Sequence, residues 1–503
     1  MSYIDLDTFV FFGCWNNIDC EYKYLYRDIV LQSIKLLETE TNNVFIAGDN
    51  WYNLLVKNSA DLENIITKEI KSGKPVEITH YLTPILISGY YTLYNMNKNI
   101  YICVGNHDEA EDEQEDIDPV IQKGLKKNCM IETQKYYLKN INNSIKANPI
   151  DNKNYIDYSE EDVLTYPAIQ FIHNDKPPSL EQLNQLAQLE EEYTLELEKK
   201  HENMNEIKLY SGDHIEIVDN NEAAYIVVII NTNILSLEYI YRVAMRIERK
   251  LSEYDNDTMG TMDTMGTKAS KGKPAKKQLF VMGHIPLFSD KKNQLNKNKE
   301  MSEDILEALY DMLVKYNSIY LCADTHNFNI MKITNQQNSK SLIQITCGTG
   351  GAKPDLIEEK IGLDYLSNPT PIKNYYIYYN SINSYGYCSI SIKQKEIVVV
   401  YNKIIDALKQ KEETQEMHYS KYIYIIENNE LSHFTVRENR ELFKNIEENI
   451  EKIANVSKLH RDIYCAEDYM NMNHVIKSEK NATDKQVICF NKAYKKEKKN
   501  KKK

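Results

Sequence analysis

The sequence, 503 residues long, has no apolar run long enough to span a bilayer. Its opening residues, Met1 to Asp7, offer no basic segment leading into an apolar one, so no secretory signal is expected. It also lacks an excess of positive charge. A formal net charge of −13 argues against a general nucleic-acid binder, which needs a basic footprint. The nine cysteines are odd in number and scattered, which excludes a disulfide framework. Cys103, Cys322 and Cys388 lie in strand-like runs and read as small buried residues. These absences favour a reducing, intracellular (cytoplasmic) setting rather than secretion. What is plentiful is Asn, Lys, Ile and Tyr, with 38 Tyr, a usage that suits an AT-rich genome such as that of a large DNA virus or a protist. A virion-associated protein is therefore among the expectations. The length suffices for one large core or two domains.

The most informative stretch runs from Tyr101 to Asp108. Tyr101 to Val104 read as a short buried strand, after which the chain turns at Gly105 and presents Asn106, His107 and Asp108. In sheets of buried parallel strands, ligands collect at the carboxyl ends. An Asn carbonyl can ligate a metal and an imidazole can move a proton. A polar turn capped by its own side chains would account for one such end. Four more runs end alike, however. Thr8 to Phe12 leads into Gly13, Cys14, Trp15 and Asn16; Asn43 to Ala47 into Gly48, Asp49, Asn50, Trp51 and Tyr52. Gln278 to Met282 leads into Gly283, His284, Ile285 and Pro286; Ser318 to Cys322 into Ala323, Asp324, Thr325, His326 and Asn327. Five unrelated turns would not share this layout by chance.

Between these ends the periodicity turns helical. Tyr26, Ile29, Val30, Ser33, Ile34 and Leu37 mark an amphipathic helix joining two parallel strands. Tyr81 to Met96 is a second candidate, and Asp304 to Tyr316 a third, with Ile305, Leu309, Met312 and Leu313 as its buried stripe. Repeated strand–helix–strand units imply an α/β layered fold. The acidic run Glu109 to Asp118 reads as a solvated loop, with an acidic rim beside a metal site as the alternative. Residues 110 to 220 read as a long insertion holding a charged, solvent- or partner-facing helix, Leu180 to Lys200, capped by Ser179 and Gln182. Residues 255 to 277 are of low complexity and read as a loop. Tyr375 to Tyr379, Gly386 to Ile392 and Glu396 to Val400 suit the edge of a second sheet. Residues 402 to 503 read as an extension with helix candidates such as Glu438 to Ile453, ending in a Lys-rich tail. Such a tail is usually solvated; an anionic partner, nucleic acid or an inner membrane face, is the other expectation.

The order of these blocks resembles the calcineurin-like metallophosphoesterases, and among them the purple acid phosphatase branch. Gly48 to Tyr52 is similar to that branch's Gly-Asp-x-x-Tyr block, Gly105 to Asp108 to Gly-Asn-His-Asp/Glu, and Gly283 to Ser289 to Gly-His-x-Pro with its apolar continuation. Cys322 to Asn327 stands where that family has Gly-His-x-His-Asn, Asn231 to Asn233 resembles an Asp-Thr turn, and Cys347 to Ala352 a late glycine-rich turn. The resemblance covers residues 8 to 401. It implies a two-sheet α/β sandwich with a long insertion and a helical C-terminal extension. It also implies hydrolysis of a phosphomonoester or phosphodiester, on a small molecule or a protein, by attack of hydroxide generated at a two-metal site.

Carried over by position, the resemblance makes Asp49 the bridge. Tyr52, His326 and Cys14 would hold one metal, with Cys14 where the family has Asp. Asn106, His284 and Asp324 would hold the other, with Asp324 where the family has His. His107 would contact the phosphate or protonate the leaving oxygen. Iron, zinc or manganese would serve; the Cys14 thiolate favours zinc or iron over magnesium and calcium. The two replacements leave two readings: a rewired, working site, or a degenerate structural or interaction protein in which Cys14 is merely buried.

Overall fold

Thr8–Phe12 (β1) is a threonine followed by four large apolar residues, and all five are buried. A strand covered on both faces belongs in the middle of a layered sheet. A computed structural model places it there. The structure describes residues 7–17, 26–38, 40–50, 89–90, 92–94, 96, 98–109, 131, 134–135, 138, 207–220, 222–256, 277–355, 357–393, 396–406 and 419–437.

Two mixed sheets of eight strands face each other. In the first, β1 pairs in parallel with Asn43–Ala47 (β2), which continues to Asn99–Cys103 (β3) and Ile207–Tyr210 (β4). On its other side β1 pairs antiparallel with Ser384–Lys393 (β15). Glu396–Asp406 (β16), Ser420–Glu427 (β17) and Glu430–Arg437 (β18) extend that side as a meander.

The second sheet has a parallel centre of Tyr225–Ile229 (β6), Gln278–Met282 (β7), Ile319–Cys322 (β10) and Ser341–Cys347 (β12). Glu216–Asp219 (β5) closes one edge. Phe328–Asn335 (β11), Tyr375–Ile382 (β14) and Thr370–Ile372 (β13) close the other. Phe288–Lys291 (β8) and Gln294–Lys297 (β9) form a separate hairpin.

Aromatic rings join the sheets. Phe9 of β1 meets Phe45 of β2 within the first sheet and Tyr225 and Phe280 of the second, at 5.2, 4.8 and 5.2 Å. Phe328 stacks on Tyr401 across the same gap at 4.2 Å. Pairs of this kind add to the area they bury because edge and face carry opposite partial charge.

The helix Tyr26–Leu37 (α1) forms at the expected bounds. Leu237–Asn256 (α2), which the sequence reading did not single out, packs with Glu303–Lys315 (α3) on the outer face of the second sheet. Ser302 caps α3 by accepting from Ile305 N, and Glu303 and Asp304 in its first turn suit the helix dipole. The buried stripe of α3 is Leu306, Leu309, Tyr310, Met312 and Leu313; Ile305 is only partly buried. Of the Tyr81 to Met96 candidate, residues 89–90 and 92–94 are helical.

Several expectations change. The three late strand-like runs do not share a sheet edge: β14 belongs to the second sheet, while β15 and β16 lie in the first. The chain crosses at Asn383, and β15 supplies the antiparallel partner that β1 needs. Beyond residue 401 the described chain continues as strand in the same sheet through β17 and β18. The stretch read as an insertion ends in β4 and β5, one on the edge of each sheet. Lys277, read as part of the low-complexity loop, holds Asp219 Oδ1 at 2.7 Å and Asn220 O at 2.7 Å. Residues 110–118, 180–200, 257–276 and 438–503 lie outside the described residues. No described helix is long and apolar enough to cross a membrane.

Candidate metal centre

β1, β2, β3, β7 and β10 all end on one side of the sandwich, where the two sheets meet. Their end turns are stitched together by backbone bonds: Cys14 N donates to Gly48 O at 3.0 Å, Ala323 N to His284 O at 2.9 Å, and Gly13 N to Cys347 O at 2.8 Å. Such close approach demands small residues. A Cβ on Gly105 would lie 2.3 Å from Asp49 Oδ1, and one on Gly13 would lie 2.6 Å from the Ala323 Cβ. Three non-glycine residues at these ends adopt left-handed backbone: Cys14 (φ 50°), Asp49 (φ 54°) and Asp324 (φ 56°). Asp tolerates that region; for Cys it is strained, and strain of this kind gathers at functional sites.

Asp49 lies at the centre of the arrangement and is 1 % exposed. Its Oδ2 accepts from Cys14 Sγ at 3.6 Å. Its Oδ1 lies 3.2 Å from His284 Nε2 and accepts from His107 N at 3.2 Å. His284 Nε2 is also 3.0 Å from Asn106 Oδ1. The two oxygens of one carboxylate thus face two different donor groups. Ligand atoms of Cys14, Asp49 and His326 lie within 4.8 Å of one another.

The histidines are held alike. His284 Nδ1 meets Ala47 O at 2.6 Å, and His326 Nδ1 meets Lys353 O at 2.7 Å. With Nδ1–H donating to a carbonyl, the lone pair resides on Nε2, the arrangement typical of metal-binding imidazoles. A thiol, a carboxylate and an imidazole at this separation suit a cation with bonds of about 2.0 to 2.3 Å after a small contraction. The donor set therefore fits a metal on the Cys14 side, and Asp49, Asn106 and His284 supply O, O and N on the other.

The remaining expected residues are distributed as follows. Asp324 is partly buried and bears on His284 through charge. Burial works against the His284 imidazolium, but Asp49, Asp324, the Ala47 carbonyl and Asp108 outweigh it and hold the ring above its usual range. His107 is partly buried and is tied to Asp49 through its backbone. Tyr52 lies outside the described residues. Burial raises the Cys103 and Cys322 thiols well above the usual range, so both act as apolar filler in their strands.

A supporting layer was not anticipated. Asp108 is fully buried and accepts from Gly105 N at 2.7 Å, Asn50 Nδ2 at 2.9 Å and Gln134 Nε2 at 2.9 Å. Burial, then the nearby Asp49 charge, pushes its carboxyl up to about 7 despite these donors. Asn50 Oδ1 accepts from Trp15 Nε1 at 2.9 Å, and Tyr90 OH donates to Gln134 Oε1 at 2.6 Å. Tyr90 and Trp15 meet edge to face at 5.7 Å, which closes a ring of five side chains beneath the site. Thr232 Oγ1 accepts from both His284 N and Ile285 N, at 3.0 and 2.9 Å, and so sets the His284 turn. Asp108 and Thr232 were visible in their motifs. Gln134 lies in the stretch read as an insertion and carries no periodic signal.

No family model matches the chain. No curated protein matches it either. A solved structure described as the structure of PhoD aligns with 91% of this chain and 78% of its own, at 8% identity and a TM-score of 0.39, a distant likeness that fixes neither fold nor activity.

Proposed function

We propose that this chain is a metal-dependent phosphoesterase of the calcineurin-like, purple acid phosphatase-like kind, with two metal ions bridged by Asp49. The observation that carries this reading is the division of the Asp49 carboxylate, Oδ2 toward Cys14 and Oδ1 toward His284. A bridging carboxylate must face two cations, and a carboxylate serving only as a turn cap has no reason to.

Cys14 and His326 would complete one set of ligands with Tyr52, and Asn106, His284 and Asp324 the other. When bound, the two cations supply Lewis-acid polarisation of a phosphoryl oxygen and activation of a water. The chain's own residues orient that chemistry. The carbonyls of Ala47 and Lys353 fix the imidazole tautomers, the ring through Asp108 fixes the Asn106–His107 turn, and His107 would donate a proton to the leaving oxygen. The Cys14 thiolate biases its set toward zinc or iron.

Metal analysis of the purified chain is expected to find about two ions per chain, the number a two-metal site holds. p-Nitrophenyl phosphate should be hydrolysed when zinc, iron or manganese is supplied. Asp49→Ala should lose both ions and the activity, with no rescue by excess metal. Full activity in that variant would sink the bridging role.

A further inference from the structure

The hairpin that follows His284 is fixed with unusual care for a surface element. The Gln344 side chain accepts from Leu287 N at 2.9 Å and Phe288 N at 3.3 Å, and donates to Phe288 O at 2.7 Å. Asn327, the neighbour of His326, donates its Nδ2 to Asp290 O at 2.9 Å. Phe288, Ser289 and Asp290 are all buried, and Lys291 is the first exposed residue of the strand. Lys292 and Asn293 then turn the chain in left-handed conformation, with φ 55° and 60°.

The Asp290 side chain faces Lys360 Nζ at 3.2 Å. Alternation along the strand directs Lys291 to the opposite face. There burial works against its ammonium, but Asp324, Asp355, Cys14 and Glu300 together outweigh it and hold the group above its usual range. Asp355 is itself fixed at the site: its Oδ2 accepts from His326 N at 3.1 Å. Among the described residues, no carboxylate lies within ion-pair distance of Lys291, whereas Lys297, Lys332, Lys360 and Lys373 are each paired with one. A lysine on an anchored strand, within reach of the charges of Asp324, Asp355 and Glu300 and in ion-pair contact with no described carboxylate, has its charge available to an anionic ligand.

We propose that the Lys291 ammonium anchors the phosphoryl group of the substrate at the mouth of the Cys14–Asp49–His326 cluster. The proposal rests on the phosphoesterase reading and adds to it a substrate contact outside the ligand set. Cations held by Cys14, Asp49 and Asp324 would offset the nearest of these negative groups, leaving Asp355 and Glu300 to compensate Lys291 only in part. A charge-assisted bond to a phosphate oxygen is the strong kind, and the field also draws the dianion in.

The test is calorimetric titration of inorganic phosphate into the full chain loaded with zinc, in wild type, Lys291→Gln and Lys291→Arg, with metal content and melting temperature recorded for each. Lys291→Gln should keep its metal and its melting temperature and bind phosphate about tenfold more weakly, the scale of one hydrogen bond to a charged group. Its KM for p-nitrophenyl phosphate should rise while kcat changes little, and Lys291→Arg should recover most of the affinity. Equal phosphate affinity in Lys291→Gln and wild type would overturn the anchor. So would loss of metal from Lys291→Gln, since the lysine would then be serving the cluster. A wild-type chain that takes up no metal would instead sink the phosphoesterase reading itself.

Discussion

Cys14 concentrates the chemistry of the site in one residue. It is fully buried, it holds a left-handed backbone, and its sulfur lies against a carboxylate. As a ligand it should be sensitive to substitution in a graded way. Cys14→Ser should lose the metal on its side, since a hydroxyl ligates poorly unless deprotonated. Cys14→Asp should retain metal, shift preference toward manganese and relieve the backbone, because Asp accepts left-handed φ more readily. Stripped of metal, the same variant should be destabilised by a second buried carboxylate beside Asp49. Metal stoichiometry of the three proteins decides the matter; equal content in wild type and Cys14→Ser would reject the ligand role. The residues that read most clearly from sequence were of this sort. Asp49, Asn106 and His284 each follow a glycine at the end of an apolar run, His326 stands three residues past Ala323 at the end of another, and the turn that aims them is encoded within a few positions.

At the scale of elements, legibility depended on how local the determinant was. α1 and α3 were readable because a helix repeats its buried face every three to four residues. The sheet membership of β15 and β16 was not, because nothing in a strand's own alternation names its partner, and β1 and β15 pair across more than 370 positions (Thr8 to Ser391). Gln134 illustrates the same limit. It joins a separate stretch of chain to the Asp108 carboxylate on one side and the Tyr90 hydroxyl on the other. Gln134→Leu should therefore cost about 1 to 3 kcal/mol, by leaving two buried groups without their partner. It should also weaken metal binding through the loosened Asn106–His107 turn. Denaturant unfolding and metal titration check both parts; an unchanged midpoint would show that Gln134 carries none of the load.

At the scale of the whole molecule, the stability of a chain that binds metal at this site should depend on pH in opposite directions with and without it. The Asp108 carboxyl rises from 3.8 to about 7 on folding, and the His284 ring rises above 6.5. In both cases the folded chain binds its proton more tightly than the unfolded chain. That stabilisation is present at low pH and is lost as pH rises, through about 7 for Asp108 and through the raised folded value for His284. Metal-free protein should thus gain about 1 kcal/mol from Asp108 alone between pH 8 and pH 6. Metal-loaded protein should lose stability over the same interval, because protons compete with cations for His284. Melting temperatures of both forms at the two pH values test this; a metal-free protein no more stable at pH 6 than at pH 8 would contradict it.

The position of β1 has a consequence for how the chain is made. This strand is made long before β15, yet it ends up in the interior of its sheet, between β2 and β15. β15 is complete only at Lys393. At ordinary rates of synthesis that gap lasts roughly 20 to 80 s. Throughout it, one hydrogen-bonding edge of a largely apolar strand waits for its partner, the kind of edge that recruits other chains. The Cys14 and Asp49 turns must also wait for His326, so the Cys14–Asp49–His326 cluster cannot assemble until residue 326 has emerged. β1 is therefore the strand of the first sheet most in need of chaperone cover while the chain between it and β15 is made.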